Sequence, residues 1–223
     1  MAFLDYSAKR MGPGRLTRAR GLYARRGKRI FDLVICFALL PVVVPAILVL
    51  WLLAMMTGPT GFFAHARVGK NGKAFRCWKI RTMIADADDA LIKLFHRRPE
   101  AEAEWSKSQK LADDPRIMPL GRALRRSSLD ELPQIWNVIK GDMSLVGPRP
   151  VTRVELRHYG EDLHHYLSIP PGITGLWQIT DRQSGCYVRR VALDKQYVQT
   201  ISFVGDLAIL GKTLPALFRL TGR

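Results

Sequence analysis

Two adjacent carboxylates, Asp130 and Glu131, lie in the stretch SSLDELPQIWNVIKGDMSLVGPRP, Ser127 to Pro150. Arg125 and Arg126 precede the pair, and Arg149 follows it between two prolines. An ionised carboxylate is a nucleophile toward phosphorus, as in aspartyl-phosphate enzymes. Adjacent carboxylates also suit Mg²⁺, which takes oxygen donors and keeps substrate phosphates among its ligands. Arginine forks match phosphate oxygens two at a time. These residue types therefore suit phosphoryl chemistry. A structural role fits the same letters. Ser128-Leu129-Asp130-Glu131 matches a capping box, with Ser128 as N-cap and Glu131 reaching back to it. Pro133 would then be the fifth helical residue, where its missing donor is costly. With Asp130 as N-cap, Pro133 falls in the tolerated first turn. Either register places both carboxylates at a helix N-terminus, whose dipole favours the ionised form. Local sequence leaves cap and catalyst both open.

The elements that must position this pair begin with an apolar run, FDLVICFALLPVVVPAILVLWLLAMM, which carries no charge from Leu33 to Met56. It exceeds the roughly 20 residues that a bilayer core requires. It is too long for a signal-peptide core, and no small-residue cleavage site follows. Pro41 and Pro45 sit near its middle, where each removes a backbone donor. Lys9, Arg10, Arg15, Arg18, Arg20, Arg25, Arg26, Lys28 and Arg29 precede the run. Arg67, Lys70, Lys73, Arg76, Lys79 and Arg81 follow it, with no acid between Met56 and Asp86. Positive flanks favour the cytoplasmic side, and here both flanks are positive. A helix broken at the prolines that enters and leaves one leaflet reconciles them. A plain span is the alternative.

The 223 residues suffice for one domain with an appended segment, and the 48% hydrophobic content permits a real core. The net charge of +16 predicts attraction to polyanions: nucleic acid, anionic lipid or phosphorylated substrates. Cys36, Cys77 and Cys186 are scattered and odd in number, which argues against a disulfide framework and a zinc site. Asp32, at the edge of the apolar run, is expected to pair with Lys28 or Arg29. FFAHARVGKNGKAFRCWKIRTM alternates around Gly72 and predicts a small hairpin. DADDALIKLFHRR and EAEAEWSKSQKL predict helices separated by Pro99. RIMPLGRALRR spaces Ile117, Leu120 and Leu124 helically, in the manner of a membrane-surface helix. DLAILGKTLPALFRL predicts either a second interfacial helix or an ordinary core helix.

With these motifs in hand, the chain resembles the bacterial sugar transferases, monotopic phosphoglycosyl transferases that start glycan assembly on polyprenyl phosphate. The likeness runs from Lys28 to the C-terminus. It is carried by KRIFDL, the proline-broken apolar segment, WKIRTM, DDPRIMPLGRALRRSSLDELPQIWNVIKGDMSLVGPRP, PGITGLWQI and SFVGDLAILGKT. It is strongest to the short undecaprenyl-phosphate galactose and glucose phosphotransferases of exopolysaccharide synthesis. The resemblance implies a mostly α fold with a few short β-strands. It implies a basic segment (1–29), a re-entrant membrane helix-break-helix (30–56) and a cytoplasmic catalytic domain with interfacial amphipathic helices (57–223). The implied location is the cytoplasmic face of the bacterial inner membrane. The implied reaction moves a hexose 1-phosphate from a UDP-sugar to undecaprenyl phosphate, with release of UMP. It is ping-pong, through a covalent aspartyl phospho-sugar.

In the resemblance Asp130 matches the nucleophile, and Glu131 its partner in holding Mg²⁺. Arg125 and Arg149 match phosphate-binding arginines. Lys79, Arg182, Asp194 and Asp206 fall on other active-site positions. The chain departs from the family pattern at Val44-Pro45, where relatives often have Ser-Pro. It departs again at Pro170, where they have arginine, and at Asp181, where many have glycine. UDP-sugar, undecaprenyl phosphate and anionic lipids are the expected partners, and a homo-oligomer is left open. Sequence-specific nucleic-acid binding is not expected, because no RNP, zinc or helix-turn-helix signature accompanies the charge.

Overall fold

The computed structural model describes residues 21–56, 60–108, 111, 113–181 and 186–218. Arg182 and the basic residues before Gly21, on which expectations were placed, lie outside the described residues. Among the described residues the fold is mostly helical, with two two-stranded sheets. A π-helical turn, Tyr23–Gly27, leads directly into α1, Lys28–Met55. An antiparallel hairpin of β1 (Phe62–Val68) and β2 (Ala74–Ile80) follows, turning at Asn71 and Gly72, both at positive φ. Next come the two expected helices, α2 (Ala87–Arg97) and α3 (Pro99–Ser108), with Pro99 as the first residue of the second rather than a spacer between them. Then come α4 (Pro119–Ser127), α5 (Gln134–Lys140) and β3 (Ser144–Val146). The chain continues through α6 (Leu163–Ser168), β4 (Gly172–Thr174), α7 (Leu176–Thr180), α8 (Tyr187–Gln199) and α9 (Phe203–Phe218). β3 and β4 pair in parallel, Ser144 opposite Gly172 and Val146 opposite Thr174.

α1 stays helical through both prolines, so the expected interruption of the helix at Pro41 and Pro45 is not found. Each proline forfeits its own bond, to the carbonyl of Phe37 or Pro41, and its ring crowds that carbonyl, while its fixed φ remains helical. The remaining ladder carries the helix past both positions. One face of α1 packs along the rest of the chain. Ile35, Cys36, Leu40, Val43 and Ile47 lie against the main core of Val138, Met143, Val146, Tyr197 and Ile209. Further along, Leu50, Trp51 and Ala54 lie against Ile80 and Leu124. These positions recur at the 3.6-residue period of one helix face. The other faces are apolar and exposed, Phe37, Val42, Val49 and Leu52 among them. By length and composition α1 is able to cross a membrane.

Polar bonds tie down its first turns. Lys28 Nζ meets Asp206 Oδ2 at 2.6 Å. Arg29 donates to the carbonyls of Val138 and Ile139 at the end of α5, satisfying groups that a helix C-terminus leaves open. Asp32 accepts from the Ser144 hydroxyl at 2.7 Å and the Leu145 N–H at 3.1 Å. Its hydrogen bonds thus go to β3 rather than to Lys28 or Arg29. The far end is also fixed: a Cβ on Gly61 would lie 2.3 Å from the Trp51 ring, and Trp51 stacks on Phe62. Both ends of α1, about 42 Å apart if straight, rest on the same folded unit.

The two segments expected at a membrane surface differ. α4 turns Leu124 and Leu120 inward against Ala54 and Ile80, and Ile117 lies outside it in a bridge to Met83. Its apolar face is therefore used by the protein. α9 has two apolar faces: Asp206 and Ile209 are buried, while Phe203, Val204 and Leu207 are exposed.

Asp206 is fully buried and accepts from Lys28, Tyr23 and Tyr197. Asp206→Ala leaves a buried ammonium without its counter-charge, and the expected loss is about 3–5 kcal/mol of stability. Thermal unfolding checks it, against the conservative Asp206→Asn.

Candidate active site

Asp130 and Glu131 sit in a 3₁₀ turn, Leu129–Glu131, wedged between α4 and α5. Ser128 ends α4 in the left-handed region (φ 57°, ψ 18°), which turns the chain sharply before the pair. No side chain caps the turn or α5, whose N-cap is Pro133. The capping-box expectation is therefore not met. The reason is electrostatic: Glu131 reaches outward to two cations instead of back to Ser128. Its Oε1 lies 2.7 Å from Lys79 Nζ and 3.4 Å from Arg149 Nη2. Lys79 Nζ is also 3.6 Å from Asp130 Oδ2.

Each cation is delivered by a different element. Lys79 lies near the end of β2. Asn137 of α5 clamps that strand, donating to Arg76 O at 2.7 Å and accepting from the Trp78 N–H at 3.1 Å. One α5 side chain thereby sets the spacing between Lys79 and the carboxylates at the α5 start. Arg125 comes from the last turn of α4 and donates through Nε to Thr82 Oγ1 at 2.8 Å. α4 comes that close because residue 121 is glycine, where a Cβ would lie 2.1 Å from Thr82 O. Arg149 stands between Pro148 and Pro150 just beyond β3. A Cβ on Gly172 would lie 2.1 Å from the Gly147 nitrogen, so the backbones of the two strands are in contact at the base of this turn.

Asp130 is only 6% exposed. Burial pushes its carboxyl above the usual aspartate range, and Glu131 adds to this, while Lys79, Arg125 and Arg149 oppose it. Glu131 raises the Arg149 guanidinium further above its ordinary value. The result is a buried carboxylate whose charge is held by three cations, beside a second carboxylate that two of them share.

Five of the sequence-predicted residues thus meet: Lys79, Arg125, Asp130, Glu131 and Arg149. Asp194 lies one layer away. It accepts from Tyr159 at 2.7 Å and lies 3.8 Å from Arg190 Nε, and burial pushes its carboxyl up to about 6. Arg190 in turn donates to Arg149 O at 3.0 Å, so Asp194 supports the backbone that presents Arg149. Asp206 is not a member: its carboxylate is consumed by α1 and Tyr197. Sequence reasoning missed Thr82 and Arg190. Thr82 lay within the quoted WKIRTM, but nothing local marks its hydroxyl as a partner of Arg125. Arg190, held over the Trp177 and Tyr187 rings, is a buried cation that only the tertiary packing surrounds with aromatics.

Among the described residues no group of three or more His, Cys, Asp or Glu forms a metal cluster. The pair alone is still a fitting donor set for Mg²⁺. Oxygens of Asp130 and Glu131 converge on one ammonium, so they also converge for a small cation. Mg²⁺ commonly takes one or two carboxylates and fills its remaining positions with water and substrate phosphate.

Comparison with known proteins identifies a family. The family described as Bacterial sugar transferase matches residues 23–220. The exopolysaccharide production protein ExoY of Sinorhizobium fredii is 46% identical over 85% of this chain and 84% of its own length. The undecaprenyl-phosphate galactose phosphotransferase of Salmonella typhimurium is 44% identical over 87% of this chain, which spans 41% of that relative. The UDP-glucose:undecaprenyl-phosphate glucose-1-phosphate transferase of Caulobacter vibrioides is 34% identical over 85% of this chain and 69% of its own length. With a family match across almost the whole chain and close likeness to a relative of similar length, the chain belongs to the bacterial sugar transferase family.

Proposed function

We propose that the protein transfers a hexose 1-phosphate from a UDP-sugar to undecaprenyl phosphate, with Asp130 as nucleophile. The observation that carries this is a buried, cation-held Asp130 beside Glu131, on a unit to which both ends of an apolar helix are fixed. The names of the relatives support the substrate classes: one names galactose, another UDP-glucose, and both name undecaprenyl phosphate. UDP-galactose and UDP-glucose are accordingly the first donors to try. The setting is glycan initiation, as in exopolysaccharide synthesis.

In the first step an Asp130 carboxylate oxygen attacks the sugar-bearing phosphorus. The bond from that phosphorus to the UMP oxygen breaks, UMP leaves, and an acyl phosphate to the sugar remains. In the second step a phosphate oxygen of the acceptor attacks the same phosphorus. The Asp130–phosphorus bond breaks, and the polyprenyl diphospho-sugar departs. Covalent catalysis splits one hard displacement into two. Lys79, Arg125 and Arg149 stabilise charge on the phosphoryl oxygens without reorganising. Asp130 and Glu131 would hold Mg²⁺, which neutralises phosphate charge when bound. Lys79 and Arg149 hold Glu131 in place before substrate arrives.

The same reading makes the chain monotopic. A bilayer crossing would set the ends of α1 about 30 Å apart across hydrocarbon. Here Lys28, Arg29 and Asp32 at one end and Trp51 and Ala54 at the other all touch the unit that bears the active site. This supports both ends of α1 staying at the cytoplasmic face of the inner membrane. The exposed apolar side of α9 supports contact with the same leaflet.

Three outcomes are expected. Asp130→Asn abolishes UMP release from UDP-galactose or UDP-glucose with undecaprenyl phosphate while membrane association persists; appreciable residual turnover would count against the nucleophile. Glu131→Gln raises the Mg²⁺ concentration needed for half-maximal activity, as a titration of the purified protein reads. The third concerns pH. Asp130 acts ionised and its carboxyl is raised, so the acid limb of kcat/KM lies above the ordinary aspartate range. Lys79 favours the ionised form and Glu131 opposes it. Lys79→Met therefore moves the limb to higher pH and Glu131→Gln to lower pH, as two pH–rate profiles show.

A further inference from the structure

Arg81 follows β2 and continues its ladder, its N–H donating to Gly61 O at 2.9 Å. Alternation along an extended strand places Lys79 and Arg81 on one face. Phe63, the cross-strand partner of Lys79, shares that face. The Arg81 guanidinium lies over the Phe63 ring, 5.9 Å from its centroid. Its Nε is buried and has no hydrogen-bond partner in the protein. No carboxylate among the described residues forms a salt bridge with it. Arg116 is matched by Asp114 at 2.6 Å, and Arg190, whose Nε likewise lacks a hydrogen bond, still has the carboxylate of Asp194 at 3.8 Å. A buried donor is costly unless something accepts from it.

The position of Arg81 identifies the missing acceptor. On one side stand the active-site groups: Thr82, next in the chain, holds Arg125, and Lys79 contacts both carboxylates. On the other side Gly61 touches Trp51 of α1, and Phe62, Phe63, Leu53 and Met56 are exposed. Arg81 is a cation on the border between a phosphate-handling cluster and an apolar surface.

We propose that Arg81 binds the phosphate of the lipid acceptor, in a subsite separate from the Lys79, Arg125 and Arg149 cluster that serves the donor. This rests on the reading that the acceptor is a polyprenyl phosphate. A phosphate monoester supplies acceptor oxygens to the open end of the Arg81 guanidinium, which has no carboxylate partner among the described residues, and its chain finds apolar cover at Phe62, Phe63 and the end of α1. Bulk phospholipid offers a similar headgroup. The acceptor is favoured because Lys79 lies two residues away on the same face, about 7 Å along the strand, and it touches the reacting carboxylates.

The test uses the full chain in detergent with UDP-sugar, Mg²⁺ and undecaprenyl phosphate. Arg81→Met raises KM for undecaprenyl phosphate about tenfold, the worth of one charge-assisted pair. The KM for the UDP-sugar, and the single round of UMP release without acceptor, stay within about twofold. Arg81→Lys keeps the charge without the fork and falls between, which also serves if the methionine variant folds poorly. An unchanged acceptor KM in either variant overturns the proposal. So does a parallel rise in donor KM, which would return Arg81 to the donor cluster. So does weakened binding to phosphatidylglycerol vesicles at an unchanged acceptor KM, which would assign it to bulk lipid. If the unsubstituted chain releases no UMP from any UDP-hexose, the transferase reading itself falls.

Discussion

A charge withdrawn from water needs a counter-charge at hydrogen-bond distance, and this fold is arranged around two such matches. Asp206 is the first. Its carboxylate collects the ammonium of Lys28 and the hydroxyls of Tyr23 and Tyr197. It thereby joins the start of α1 to α8 and α9. Asp32 adds bonds to β3 one turn later. A helix apolar on every side has no preferred orientation from the hydrophobic effect alone. These few polar contacts choose which face meets the core.

The second match is Glu131 between Lys79 and Arg149. Asp130 alone, buried and raised, would lose its proton reluctantly. The cations lower that cost, and Glu131 partly reverses the gain while holding two of them in position. The site is thus balanced, with a carboxylate whose burial is partly offset and cations not wholly consumed by it. The scaffold supplies the alignment through backbone-scale contacts: Gly121 against Thr82, Gly147 against Gly172, and the Asn137 clamp on β2. Three of the five site residues depend on these approaches, which no charge in the site provides.

Membrane and catalytic functions meet at one edge of the molecule. Ile80 packs on Ala54 and Leu124, so the end of α1, the β hairpin and α4 share a small core directly behind Lys79 and Arg125. The apolar helix and the cations around the carboxylate pair are therefore parts of one packed neighbourhood.

Much of this was legible in the residues. The hairpin around Gly72, the helices on either side of Pro99 and the long apolar helix follow from alternation, capping letters and length. All are local signals. The carboxylate pair with its flanking arginines suited phosphoryl chemistry but left a capping role open, and the family resemblance singled out Asp130. The sequence could not decide that Glu131 abandons a capping box, because its cations arrive from β2 and from beyond β3, 52 and 18 residues away. Nor could it show that Pro41 and Pro45 leave α1 helical, or that Asp206 anchors the helix instead of the substrate. The fates of Glu131 and Asp206 turn on which buried charges come within about 4 Å of one another, and only the tertiary packing sets that distance.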